Sequence, residues 1–203
     1  MTDRISTHYQ GLLRKYGDSH ESAQYSSRES QEQRYKYLLG IGALEGRRVL
    51  DFGCGTAHLA TYLKAWGIHV RYTGVDVVDD FFPLARAKHP EHRFGRLEDF
   101  SGERFDYVMI SGVFNNKRRD NRRFYQDSIR TLFPLCDYGL AFNMMSTYVD
   151  FFDPGLFYER PERAFGFVKN EITPFVILRH DYQVKPGVTP FEFIIYAYRS
   201  AVS

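Results

Sequence analysis

Residues 47–63 read RRVLDFGCGTAHLATYL, and this stretch decides the fold. A short apolar run ends in an acid and a glycine, and residues with the apolar spacing of a helix follow the turn. A strand, a glycine turn and a helix in this order form the opening unit of a parallel α/β sheet. Backbone N–H groups and a helix N-terminus approach a polar ligand closely at such a turn. The stretch therefore predicts both the sheet and a ligand site at its edge.

Strands and helices alternate along most of the chain around this turn. We predict strands at 47–53, 70–77, 92–97, 104–114, 138–145, 174–180 and 190–198. Helices are predicted at 27–40, 57–67, 79–90, 119–136 and 160–172, and Ser26 with Glu29 has the spacing of a capping box for the first. The order predicts an α/β three-layer sandwich: a seven-stranded, mostly parallel sheet with an antiparallel last strand, helices on both faces and an N-terminal helical cap.

The length of 203 residues suits a single domain. We assign residues 1–45 to an N-terminal cap segment and residues 46–203 to the core of the same domain. Residues 146–161, STYVDFFDPGLFYERP, are long, aromatic and without helical period. Such a segment between regular elements is typical of an active-site lid, although a hydrophobic patch folded onto the core has the same composition.

Composition excludes several classes of protein. The formal charge of +2 is too small to indicate a nucleic acid or membrane partner, and no apolar run approaches the length of a membrane span. Cys54 and Cys136 are the only cysteines, and neither lies in a metal-ligand spacing, so we predict no metal site. The first ten residues lack the apolar core of a signal peptide. We expect a cytoplasmic protein, with monomer and homodimer both open.

Three classes of ligand compete for the glycine turn. A phosphate-binding P-loop needs Gly-Lys-Ser/Thr at its end, and this turn has no lysine. A dinucleotide fingerprint needs Gly or Ala at its sixth position, where His58 stands. A side chain of that size would hold the helix away from the strand and obstruct a pyrophosphate.

The third class fits better, because VLDFGCGTA resembles the first motif of class I S-adenosylmethionine-dependent methyltransferases. The resemblance implies S-adenosylmethionine as cofactor and S-adenosylhomocysteine as product. It implies that Asp51 faces the amino-acid half of the cofactor, while Gly53 and Gly55 let the chain pass close to it. Ala57 replaces the last glycine of the family motif, which is a mild departure.

Further cofactor contacts follow from this resemblance. Asp76 ends the next strand, 25 residues after Asp51, where a carboxylate can hold both ribose hydroxyls. Either Glu98 or Asp99 would receive the adenine amino group, and the sequence does not choose between them. Arg28 or Arg34 would pair with the cofactor carboxylate. The remaining predicted contacts are Gln31, Cys54, His58, Val77, Ser111, Gly112 and Val113; for His58, helix capping is the alternative.

The acceptor side is less defined. His180 near the end of the sixth strand is our candidate base, with Asp181 beside it and Tyr182 as the alternative. A basic cluster on the predicted acceptor side is either a solvated face or a site for a phosphorylated acceptor; its members are Lys117, Arg118, Arg119, Arg122 and Arg123.

The resemblance implies a methyltransferase that acts on a small molecule, such as a sugar or a secondary-metabolite precursor. An RNA or protein methyltransferase is one alternative. The Asn/Asp-Pro-Pro-Tyr/Phe signature of amide or base-nitrogen methylation is absent, because the fourth strand ends SGVFNN. A non-catalytic protein that binds S-adenosylmethionine is the other alternative. The presence of all four motif residues argues against a non-catalytic protein, since a site that has lost its activity need not keep Asp51, Gly53, Gly55 and Asp76.

Overall fold

The structure is a computed structural model that describes residues 4–201. Residues 1–3 and 202–203, which our predicted domain bounds include, lie outside the described residues. Six α-helices are described, and some continue into short 3-10 or π turns. They are α1 (Arg4–Tyr16), α2 (Arg28–Leu38), α3 (His58–Ala65), α4 (Phe82–Lys88), α5 (Asn121–Leu132) and α6 (Pro161–Phe167).

Eight strands of the described chain form one sheet. They are β1 (Arg48–Phe52), β2 (Arg71–Val75), β3 (Arg93–Gly95), β4 (Phe105–Ile110), β5 (Cys136–Ser146), β6 (Tyr158–Glu159), β7 (Val176–Arg179) and β8 (Glu192–Tyr198). Seven run in the order β3-β2-β1-β4-β5-β8-β7, and the two-residue β6 pairs with the end of β5. All pairs are parallel except those of β8, which is antiparallel to β5 and β7. The predicted fold class is confirmed.

The sheet is buried on both faces because its central strands carry apolar residues at most successive positions rather than at alternate ones. β4 and β8 are buried along their whole length. Neighbouring residues of one strand enter opposite layers: Val49 joins the core cluster beneath α2 and α3, whereas Leu50 joins the cluster beneath α5 and α6. Such continuous apolar runs are typical of strands covered by helices on both sides.

The chain reverses its strand order between β1 and β4, and this places the site. β2 and β3 lie on one side of β1, and β4 and β5 lie on the other. A crevice opens at the carboxyl ends of the strands wherever an α/β sheet changes direction in this way. The loop after β1 lies at that point.

Two local predictions were wrong. Residues 4–16, where we predicted no helix within the cap segment, form α1, whose partly buried residues Ile5 and Tyr9 lie one turn apart. The cap of α2 is Ser27 rather than Ser26, because the Ser27 hydroxyl accepts the hydrogen bond of Ser30 N at 3.1 Å. The last two predicted strands do pair as antiparallel neighbours, β7 and β8, and residues 180–191 join them.

No helix of residues 4–201 has the length and apolar character needed to cross a membrane.

Candidate active site

The turn after β1 is held tightly against β2. Gly53 N and Cys54 N both donate to Val75 O, at 2.8 and 3.1 Å. Gly53 has φ +81°, and a Cβ added there would lie 2.4 Å from Cγ2 of Val113. Any side chain at this position would therefore be strained and would push into the loop after β4. Glycine at this position therefore lets the turn after β1 pack directly against Val113.

Asp76 ties the same turn to the end of β2. Its Oδ2 accepts the hydrogen bond of Gly55 N at 2.9 Å, and its Oδ1 accepts that of Val78 N at 3.0 Å. Burial raises the pKa of this carboxyl, while the backbone donors of Gly55 and Val78 oppose the rise. The carboxylate thus fixes the loop and still lines the cavity described below.

Asp51 is the most deeply placed acid of the turn, with only 4% of its surface exposed. The hydroxyl of Tyr72 donates to Asp51 Oδ2 at 2.5 Å. Burial raises the pKa of the Asp51 carboxyl to about 7, against the opposing hydrogen bond from Tyr72. A carboxyl buried in this way gains from a cationic ligand, because the cation favours its charged form.

One cavity of about 740 Å³ gathers these groups. Twelve of the fifteen predicted cofactor residues line it: Gln31, Asp51, Gly53, Cys54, Gly55, His58, Asp76, Val77, Glu98, Ser111, Gly112 and Val113. Arg28, Ala57 and Asp99 do not. Asp99 Oδ2 instead accepts the hydrogen bond of Arg96 N at 2.8 Å, which holds a short helical turn. Of the two acids left open by the sequence, only Glu98 therefore faces the cavity.

His58 and Gln31 have partners outside the glycine turn. His58 Nε2 lies 2.9 Å from Glu32 Oε1. His58 does not cap α3, because the N-cap position is Ala57 and no side-chain cap is formed there. Burial lowers the pKa of His58, although the bond to Glu32 opposes this. Gln31 Nε2 donates to Tyr35 Oη at 2.9 Å. The contact of His58 with Glu32 joins α3 to α2, whereas that of Gln31 with Tyr35 lies within α2.

A buried ion pair that sequence reasoning missed lies deeper in the cavity wall. The guanidinium of Arg34 on α2 donates hydrogen bonds to the carboxylate of Glu192 at the start of β8. Arg34 Nε donates to Glu192 Oε1 at 2.8 Å, and Arg34 Nη2 donates to the same oxygen. Asn143 Nδ2 donates to Glu192 Oε2 at 2.7 Å, and Asn143 Oδ1 accepts from Gly112 N at 2.8 Å. The pair thereby reaches the loop after β4. Arg34 is already paired, which leaves it less suited to the predicted bond with a cofactor carboxylate.

The N-terminal segment closes one side of the cavity. Asn116 Nδ2 donates to both Tyr9 Oη and Gln24 Oε1 at 2.7 Å. Tyr25 Oη lies 3.2 Å from Ser111 Oγ, and its ring lies 5.0 Å from the guanidinium carbon of Arg34. These contacts join the segment before α2 to the loop after β4, across the cavity opening.

The predicted base residues lie elsewhere. His180, Asp181 and Tyr182 are all absent from the wall of the large cavity. His180 Nε2 is 3.0 Å from Pro190 O, and exposed Asp181 pairs with Arg179. Tyr182 is buried against Tyr37 at a centroid distance of 4.4 Å, beside a separate surface hollow. The physical reason is strand order: β8 lies between β5 and β7, so the end of β7 is displaced from the crevice.

Replacement of His180 by alanine is expected to leave the catalytic rate within about threefold of the parent rate. A general base must come within hydrogen-bond reach of the proton that it removes, and His180 does not face the cavity. Turnover of the parent and His180→Ala proteins over a range of pH checks this. A loss of about a hundredfold, with loss of the acidic limb of the pH profile, would restore the histidine as base.

The predicted lid and basic cluster are only partly at the cavity. From residues 146–161, Leu156 lines the wall and bridges Asn116, while Phe151 and Phe152 are exposed. Among the basic residues, Arg118 lines the wall. Arg122 and Arg123 are paired with acids, Glu159 and Asp127 respectively. The lid function stays a prediction, and the charge of the cluster is partly neutralised by its own surroundings.

Comparisons with known proteins agree with this geometry. Residues 49–134 match the family profile described as a methyltransferase domain. A Mycobacterium tuberculosis protein whose name assigns it provisionally as a methyltransferase is 27% identical over 167 residues, which cover 76% of this chain and 96% of that protein.

Solved structures agree as well. Magnesium protoporphyrin IX methyltransferase of Synechocystis PCC 6803 with bound S-adenosylhomocysteine has a TM-score of 0.67 at 17% identity, covering 96% of this chain and 95% of that one. A methyltransferase from Archaeoglobus fulgidus that depends on S-adenosylmethionine has a TM-score of 0.64 at 16% identity, covering 95% and 100%. At this level of identity, the two structures establish a shared fold.

Proposed function

We propose that the chain, which matches a methyltransferase domain over residues 49–134 and shares the fold of a solved methyltransferase with bound S-adenosylhomocysteine, is a class I S-adenosylmethionine-dependent methyltransferase that acts on a small-molecule acceptor. One observation carries the proposal. Two carboxylates, buried Asp51 and partly buried Asp76, stand at the ends of adjacent parallel strands and line one cavity with the glycine turn between them.

The cavity fits the cofactor at both ends. Asp51 offers a buried carboxylate for the ammonium group, and Asp76 offers acceptors for the ribose hydroxyls. Val77, Leu97 and Val113 supply apolar wall for a base, with Glu98 at its edge. Gly53 packs directly against Val113, and both residues line the cavity, so a ligand can approach the backbone of the turn closely. When bound, S-adenosylmethionine supplies an electrophilic methyl group.

The chain's own contribution is then chiefly orientation and exclusion of water. Tyr25 and Ser111 close the cavity beside the loop after β4. The bond from Asn143 to Gly112 N fixes the loop that borders the predicted methyl position. Since the sulfonium already activates the methyl carbon, holding an acceptor in line can provide most of the acceleration.

A small acceptor suits the enclosure of the site. The contacts of Asn116 with Tyr9 and Gln24 cover the opening, which favours a ligand that enters whole over a nucleic acid strand or folded protein. Apolar Met145, Leu156 and Phe191 line the wall beside the paired charges of Arg34 and Glu192. The acceptor classes that we propose first are sugars and secondary-metabolite precursors. A phosphorylated acceptor is the second option, and Arg118 in the wall supports it.

The test is transfer of a labelled methyl group from S-adenosylmethionine to a panel of sugars, sugar phosphates and aromatic metabolites. Labelled product with the parent protein and none with Gly53→Val supports the proposal. The valine side chain would clash with Val113 and distort the turn after β1. Labelling confined to RNA or protein would contradict the small-molecule assignment. Binding of S-adenosylhomocysteine without transfer to any acceptor class would favour a non-catalytic binding protein.

Cofactor affinity is expected to depend on pH through Asp51. Its pKa of about 7 in the free protein means that the carboxyl must lose a proton to attract an ammonium group when the pH lies below that value. The dissociation constant for S-adenosylhomocysteine should therefore fall as pH rises through about 7 and become level above it. Calorimetric titration between about pH 6 and about pH 8 measures this.

Asp51→Asn is the matched control for that titration. It keeps the shape of the side chain and cannot ionise, so binding should be weaker and independent of pH over the same range. An equal pH slope in the parent and the variant would show that another group controls the dependence.

A further inference from the structure

A cluster of metal-ligand side chains lies outside the active-site cavity. It consists of His89, Glu91 and His92, in the connection from α4 to β3. One possible ligand atom from each residue lies within 4.8 Å of the others. The sequence HPEHR (89–93) gave no prediction of a metal, because only cysteine spacings were considered there. The turn formed by His92 N donating to His89 O at 3.1 Å folds the three side chains together.

His89 has the environment of an oriented ligand. The residue is 3% exposed, and its Nδ1 is buried without a hydrogen-bond partner among the described residues. Its Nε2 lies 2.9 Å from Thr61 Oγ1 on α3. If Nε2 carries the proton and donates to Thr61, Nδ1 keeps a free lone pair that can serve as a metal ligand. An outer hydrogen bond of this kind fixes the tautomer of metal-bound histidines.

Glu91 and His92 form the side of the cluster that solvent can reach. The His92 ring is stacked on that of His89, with centroids 5.8 Å apart and planes inclined by 27°. His92 is partly buried and Glu91 is exposed, so an ion can reach both from solvent. Lys64 Nζ lies 3.8 Å from Glu91 Oε1, a long exposed pair that a divalent cation can displace.

We propose that His89, Glu91 and His92 bind one divalent transition-metal ion, with water completing its coordination. Two imidazoles and one carboxylate are a ligand set that suits Zn²⁺. The ion would join the end of α4 to the start of β3 and, through Thr61, to α3. Its position lies outside the wall of the active-site cavity, so the role is structural and independent of the proposed transferase reaction.

Calorimetric titration of tag-free, chelator-treated protein with ZnCl₂ tests the site. One Zn²⁺ per chain is expected for the parent protein. His92→Ala, a change at a partly exposed residue, should weaken binding by about tenfold or more. His69→Ala is the matched control, because His69 is exposed and lies outside the cluster. It should bind Zn²⁺ as the parent does.

A spectroscopic readout covers the case in which a variant folds poorly. Co²⁺ added to the parent protein should give visible absorption bands of a nitrogen- and oxygen-ligated ion, and Zn²⁺ should remove them by displacement. His89→Gln and Glu91→Gln should each weaken the bands. Absence of stoichiometric Zn²⁺ binding by the parent, or equal binding by the His92→Ala and His69→Ala variants, would overturn the proposal.

Discussion

Arg34→Met is expected to lower the free energy of unfolding by about 3–5 kcal/mol. The side chain of Glu192 is completely buried and is bound by the Arg34 guanidinium and by Asn143. Removal of the guanidinium leaves a buried carboxylate whose charge is uncompensated, and this costs far more than loss of an exposed ion pair. Urea unfolding followed by circular dichroism measures the change.

Two further variants distinguish the cost of an unpaired buried charge from the cost of losing any one arginine. Arg123→Met removes an exposed arginine paired with Asp127, and a loss below about 1 kcal/mol is expected. Arg34→Met combined with Glu192→Leu removes both buried charges, and most of the stability should return because well-packed apolar residues replace buried ion pairs at little cost. If Arg34→Met and Arg123→Met destabilise equally, the pair does not have the burial described for it.

Asp76→Ala is expected to weaken binding of S-adenosylhomocysteine by about 1–3 kcal/mol, which corresponds to roughly fivefold to 150-fold in the dissociation constant. The substitution removes the proposed acceptor of the ribose hydroxyls. It also frees Gly55 N and Val78 N, which the carboxylate now holds. Calorimetric titration of the parent and variant proteins checks the expectation.

Glu45→Ala provides the control for this substitution. Glu45 is exposed, is outside the cavity wall, and precedes β1 at the end of that strand away from the glycine turn. Its replacement should leave the dissociation constant within about twofold, since surface changes away from such features have small effects. Unchanged affinity in Asp76→Ala would remove this carboxylate from the cofactor site.

The local part of the site could be predicted from the sequence because strand ends, glycine turns and following helices are set by neighbouring residues. Gly53, Asp51 and Asp76 lie within 26 positions of one another and come together through two parallel strands. The Arg34–Glu192 pair could not be predicted in this way, since its members are 158 positions apart. It depends on β8 entering the sheet beside β5.

The same non-local topology explains the displaced base candidates. His180 does follow a strand, as predicted, but that strand is β7 at the edge of the sheet. Helix α1 was missed for a different reason. Ile5, Tyr9, Leu12 and Leu13 recur at helical spacing, a signal that the polar composition of the segment hid. Contacts far along the chain, such as that of Gln10 with Asp80, also secure its position.

A crystal structure of the protein grown with S-adenosylhomocysteine would show directly whether Asp51 and Asp76 hold the cofactor. We expect the nucleoside in the 740 Å³ cavity, with its ribose hydroxyls on the Asp76 carboxylate and its amino-acid portion beside Asp51. A saturated crystal with that cavity vacant, or with the ligand held away from both carboxylates, would contradict it.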